Sequence, residues 1–240
     1  MVVAPIGELE SIVERMDRFK YKYGHMLVIG NGFDLNLGLR TTYRDFVNSC
    51  IFKRMYVNRM KEKSSNDNPL PSLIDYLYGK KFTERWYDIE KALLEYVAPM
   101  PDGRFVNNIE EDKRDYDLVC EVLIKYLVSL FKTGDDSKQS QMMMATPAGQ
   151  LLHKLGSDRA IIYSFNYTPI DLIISAVDGR SSLNTTRIHG EIKEETIFNE
   201  GKNNSDSIIL GIETNNLRNI APGYSFLLKL LLSAKHAIPF

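Results

Sequence analysis

Apolar positions in residues 9–19 recur at helical spacing. Leu9, Ile12, Val13, Met16 and Phe19 share one face, which predicts an amphipathic helix. The pattern changes at residues 26–30, MLVIG, a short unbroken apolar run ending in glycine. A parallel strand buried on both faces has this pattern. Helical spacing resumes near Thr41 or Thr42 and runs to about Met60, with Thr42-x-x-Asp45 resembling a capping box. Residues 63–71, KSSNDNPLP, read as a loop. From a cap at Thr83, a further helix places Trp86, Ile89, Leu93 and Val97 on one face until Pro99, Pro101 and Gly103 end it. Residues 116–131 form a strong amphipathic helix between two polar loops. The second of these, residues 132–141 (KTGDDSKQSQ), reads as a solvated, disordered tip.

Strand signals return in the last third. Thr146-Pro147 marks a helix start. AIIYSF (160–165) predicts a strand, followed by NYTP and a helix from about Pro169. TTRIHG (185–190) and SIILG (207–211) predict two more strands. Pro222 opens a last helix that includes FLLKLLLSA (226–234), too short for a membrane span and broken by Lys229. The fold class expected is therefore α/β. A single domain over residues 1–240 carries an open, mostly parallel, Rossmann-like sheet flanked by helices. A helical insertion or cap covers about residues 47–150. No internal repeat or low-complexity tract interrupts this pattern.

Composition narrows the function. With 240 residues, 44% of them hydrophobic, the chain can bury a substantial core. A net charge of −1 gives no global field toward nucleic acid or an anionic membrane, so neither is indicated as a partner. Two separated cysteines, Cys50 and Cys120, support neither a zinc site nor a disulfide framework. That usage, and an N-terminus interrupted early by Glu8 and Glu10, lead to a cytoplasmic expectation. No histidine pair has metal-ligand spacing, so no metal is expected.

In an open parallel sheet, ligands bind beyond the carboxyl ends of the strands. Three loops leave such ends. The first is GNGFD, where Gly30 and Gly32 permit positive φ and close approach, and the backbone of Gly30, Asn31, Gly32 and Phe33 leads into a helix N-terminus suited to a diphosphate. The spacing is neither GxGxxG nor a Walker motif. Asp34 suits a ribose hydroxyl or a cap better than a phosphate. A ligand-free tight turn is the competing reading. In the second loop, Asn166 can donate and accept at once, or simply tie the turn to backbone. Thr168-Pro169 reads as a helix cap. In the third, His189 is placed as a general base with Gly190 giving access, against the alternative of a structural histidine. Two weaker signals are WYDIE (86–90), read as a core tryptophan with solvated acids, and Glu191–Lys193, half of a nuclease motif.

Taken in order, LVIGNGFDLNLGLRTTYRDF, WYDIE, FNYT and IHG resemble the bacteriophage abortive infection AbiH family, from about residue 26 to at least 211. The resemblance implies a role in defence against phage, and a phage or host protein as trigger. A more distant resemblance is to sirtuin-like NAD-binding domains. Gly30, Gly32 and Gly38 reproduce their glycine spacing. Asn166 and His189-Gly190 match later motifs in order, with Thr168 where an aspartate is common. It implies NAD or an ADP-ribose-like nucleotide as substrate or ligand, with Asn166 and His189 catalytic. The cofactor-binding set is Gly30, Asn31, Gly32, Phe33, Asp34, Gly38 and Gly190. The family also implies a further strand with a Gly-x-Ser-type turn after FLLK. Without it a sheet edge would need cover, and homodimerisation would supply it. Non-catalytic nucleotide sensing and nuclease activity are the alternative functions.

Overall fold

The computed structural model describes residues 24–63, 72–80, 89–98, 108–131, 136–156, 160–178, 184–189, 192, 210, 212–213, 223–224 and 228–229. The helix expected at residues 9–19, the loop at 64–71, Trp86 and Asp88, Gly190, and Glu191 and Lys193 lie outside the described residues.

The sheet is small, open and parallel. Strand β1 (His25–Ile29) pairs with β2 (Ala160–Ser164), which pairs with β3 (Asn184–Arg187), so β2 is central. Every residue of β2 is buried, as its unbroken apolar run requires. The ladder continues one step past the strands, with Phe165 N–H donating to the Ile29 carbonyl (2.9 Å) and Ile188 N–H to that of Ser164 (2.9 Å). These bonds bring the three exit loops side by side.

Nine helices occur among the described residues. Helix α1 (Asn31–Asn36) follows β1 directly. Helices α2 (Tyr43–Asn48), α3 (Cys50–Lys63), α4 (Leu73–Lys80), α5 (Ile89–Val97), α6 (Ile109–Ser129) and α7 (Asp136–Met144) follow. Helix α8 (Pro147–Gly156) leads into β2, and α9 (Ile170–Asp178) connects β2 to β3. The result is a helix-rich α/β fold whose Rossmann-like character rests on three strands.

Two apolar clusters organise it. One joins β1 and β2 to α8 and α9 through Ile29, Ile162, Leu152, Ile170 and Ile173. The other lies within the helical region, around Phe46, Phe52, Leu73, Leu77, Leu93 and Leu123. That region also has a polar core. Asp112 and Asp115 of α6 accept from the first amides of α4, Leu73 (3.0 Å) and Ile74 (3.4 Å). They thus supply acceptors to N–H groups that a helix start leaves without partners. Arg59 reaches Asp115 (2.7 Å) and Glu111 (3.1 Å). Tyr96 (2.8 Å) and Tyr224 (2.5 Å) donate to Asp112, whose carboxyl burial pushes up and these bonds pull back.

Several expectations are corrected. The helix from Thr42 to Met60 is two helices, because Ser49 is extended (φ −63°, ψ 154°) and its Oγ caps α3 at Phe52 N–H (3.1 Å). Thr42 does cap, accepting from Asp45 N–H (3.0 Å). Helix α6 begins at Ile109, where a loop was expected, because Asn108 accepts from Glu111 N–H (3.3 Å). Of the tip expected at 132–141, residues 132–135 lie outside the described residues, and 136–141 are helical and not disordered, belonging to α7, with Gln139 donating to the Leu130 carbonyl (3.1 Å). The start at Pro147 holds, with Thr146 Oγ accepting from Gly149 N–H (3.1 Å). Apart from Leu210, the strand expected at residues 207–211 lies outside the described residues. Ile212–Glu213 forms β4, paired parallel with β5, Leu228–Lys229, in a separate two-stranded sheet. Leu228 and Lys229 are therefore strand and not helix. A short leucine run does not separate the two by periodicity.

Candidate functional site

Gly30 stands at the N-terminus of α1 in extended backbone (φ −133°, ψ −174°). Any residue adopts that conformation, so the expectation of positive φ at Gly30 and Gly32 is corrected. What the two glycines provide is room, since a Cβ at either would meet nothing within 4 Å. Positive φ is needed at Gly38 instead (83°). There Gly38 N–H donates to Leu35 and Leu39 N–H to Asp34, closing the end of α1. Gly38 is thus a helix terminator.

Asp34 is the hub of the exit loops. It is buried on the inner side of α1. One carboxylate oxygen accepts from Asn166 Nδ2 (2.6 Å) and the other from Thr168 Oγ1 (2.7 Å). Asn166 Nδ2 also donates to the Gly30 carbonyl (3.0 Å). Both N–H groups of the amide are therefore used inside the protein, and its Oδ1 remains as an acceptor. Thr168 does not act as the expected helix cap, because its hydroxyl is turned to Asp34. Burial pushes the Asp34 carboxyl up to about 6, against the lowering effect of the bonds from Thr168 and Asn166.

The FNYT turn has two sides. Asn166 and Thr168 point inward to Asp34, whereas Phe165 and Tyr167 border His189, as residues alternating along extended chain do. The Phe165 ring meets the imidazole edge-on (5.8 Å, 82°), and the Tyr167 ring lies 5.2 Å from it. His189 comes two residues after β3 ends, in a turn and not in the strand itself. Arg187 forms an ion pair with Asp171 of α9, fixing the end of β3.

These loops form one side of a cavity of about 220 Å³. Gly30, Asn31, Asp34, Asn166, Thr168 and His189 contribute to it from the strand ends. The opposite wall comes from the helical region, with Thr41, Tyr43 and Phe46 at α2 and Leu123 and Tyr126 from α6. Thr41 Oγ1 donates to Asn31 Oδ1 (2.6 Å), and Tyr126 donates to the Arg40 carbonyl (2.5 Å). Burial pushes the Tyr126 phenol up to about 12, with the Asp45 charge adding to it. Among the described residues, no group of three or more His, Cys, Asp or Glu is placed to hold a metal, and no helix is long and apolar enough to cross a membrane.

A family model for bacteriophage abortive infection AbiH matches residues 26–230. The chain belongs to the AbiH family. Its family therefore gives it a role in phage defence. No curated protein and no solved structure matches the chain.

Within this AbiH fold, the sequence-derived residues divide by position. Gly30, Asn31, Asp34, Asn166 and His189 share the cavity. Gly32, Phe33 and Gly38 are not among its lining residues, and Phe33 packs on the sheet-side core. The aromatic walls were missed. Tyr126 sits on the apolar face of α6 and reads as core, and Phe46 is nearly fully buried yet reaches the cavity. Phe165 and Tyr167 carried a usable signal, being aromatics at alternate positions of a turn just past a buried strand.

Proposed function

We propose that this AbiH protein acts in phage defence by binding NAD or an ADP-ribose-like nucleotide in the cavity and hydrolysing NAD at its N-glycosidic bond. One observation carries the reading: Gly30, Asn166 and His189, from three separate exit loops, border one cavity at the carboxyl ends of three parallel strands. That is where open α/β sheets place their ligands.

In the proposed reaction, water attacks the anomeric carbon of the nicotinamide ribose as the bond to nicotinamide breaks. The proton released from water passes to His189, leaving ADP-ribose and free nicotinamide. Asn166 holds the first and second loops together and presents an acceptor oxygen. A positioned general base contributes about 10²–10⁴-fold. Purified protein should consume NAD, and His189→Ala should lose most turnover while keeping nucleotide binding. Absence of any NAD or ADP-ribose binding by calorimetry would sink the proposal.

One observation favours a second reading, nucleotide sensing without turnover. Both Asn166 N–H groups are spent on Gly30 and Asp34, so fewer groups remain to activate water. Tight binding without NAD loss would favour that reading, with a phage or host protein as trigger.

A further inference from the structure

We propose that the cavity receives the nucleoside end of its ligand, a planar heterocycle with its ribose, and leaves the phosphates outside. This rests on the nucleotide reading and names the part of the ligand that the cavity holds. The walls are rings from both sides: Tyr43 and Tyr126 from the helices, Phe165 and Tyr167 from the sheet. Phe165 is 46% exposed although it directly follows a fully buried strand. A partly exposed aromatic ring in the lining suits stacking against a base, which every heterocycle can accept.

The electrostatics point the same way. Among the described lining residues, tyrosines aside, the ionisable groups are Asp34 and His189. Asp34 is held by neutral donors, Asn166 and Thr168, so neither of these partners offsets its charge when it ionises. A diphosphate beside it would be repelled in a partly desolvated site. Of the Gly30–Phe33 backbone that the sequence suggested as a diphosphate seat, only Gly30 and Asn31 line the cavity, and Gly32 and Phe33 lie outside the lining. Polar side chains in the lining suit hydroxyls: the Thr41–Asn31 pair and Asn166, whose amide oxygen can accept.

Calorimetry on the full chain with adenosine, nicotinamide riboside, ADP-ribose and inorganic pyrophosphate tests this. One nucleoside should bind within about tenfold of ADP-ribose, a difference of one decade or less. Its affinity should change little between low and high salt, because no exposed ion pair is formed. Pyrophosphate should not compete. Phe165→Ala and Phe165→Leu should both weaken the nucleoside roughly tenfold or more through lost stacking. The leucine variant retains apolar bulk and guards against misfolding. Whichever nucleoside binds identifies the ring. Competition by pyrophosphate, or binding of ADP-ribose while both nucleosides fail, overturns this inference and leaves the nucleotide reading standing. Failure of all four probes on folded protein overturns the nucleotide reading and this inference together.

Discussion

Replacing Asp34 by asparagine removes one charge and keeps the shape of the hub. The replacing amide can accept from Asn166 through its oxygen and donate to the Thr168 hydroxyl, which rotates. In the native protein the Asp34 carboxyl is pushed from 3.8 to about 6, chiefly by burial. A change of that size corresponds to roughly 3 kcal/mol at about 1.36 kcal/mol per unit. Between those two values the folded chain holds a proton that the unfolded chain has released, so stability falls as pH rises. The contribution is fully present below the unfolded value and is lost above about 6. Asp34→Asn should therefore match the native protein within about 1 kcal/mol near pH 4 and exceed it by roughly 2–3 kcal/mol near pH 7.5. Urea unfolding at the two pH values measures this, with unchanged m-values showing that the unfolded state is comparable. Other carboxylates cancel in the difference between the two proteins. Parallel pH profiles for the native and Asp34→Asn proteins would refute the burial argument.

Other substitutions test other parts. Gly32→Ala adds a Cβ that meets nothing within 4 Å inside α1, so it should raise stability by up to about 1 kcal/mol. An unchanged ADP-ribose affinity in the same variant would place the phosphates away from this turn. Gly38→Ala forces a side chain onto φ 83° and should cost about 1–2 kcal/mol in denaturant unfolding. Gly149→Ala should lower Tm more than Gly38→Ala, because its Cβ would stand 2.0 Å from the Met143 carbonyl oxygen. Arg59→Ala leaves the fully buried Asp115 without its ion-pair partner. A loss of about 3–5 kcal/mol is expected from uncompensated buried charge, measured by urea midpoint.

The apolar runs marked both β1 and β2, but only β2 is buried throughout; the expectation of burial on both faces fails for β1, where Met26 and Val28 are exposed and Ile29 alone is buried. The caps at Thr42 and Thr146 were legible because a hydroxyl before a helix has a local partner. Helix α6 was only half legible. Asp112 and Asp115 look like solvated loop, and their reason for burial is the start of α4, far along the chain. Gln139, in a segment whose polar composition suggested disorder, sits in a helix that its bond to the Leu130 carbonyl ties down. At the site, the strand-end rule located Gly30, Asn166 and His189, since it depends only on strand order. The wall from α2 and α6 depends on how the helical region folds over the sheet, which no local spacing encodes. The FNYT turn was read by its asparagine, and the signal of its alternating aromatics, Phe165 and Tyr167, was passed over.

The two-sided turn bears on how loss-of-function variants in phage-challenge assays are interpreted. Asn166 ties two loops by both of its amide hydrogens. An Asn166→Ala strain that loses protection therefore reports a detached loop as readily as a missing reactant, and protein abundance must be measured beside it. Phe165, on the outer side of the same turn, can be changed with little debt to the core. A defence phenotype at that position reports on what enters the cavity.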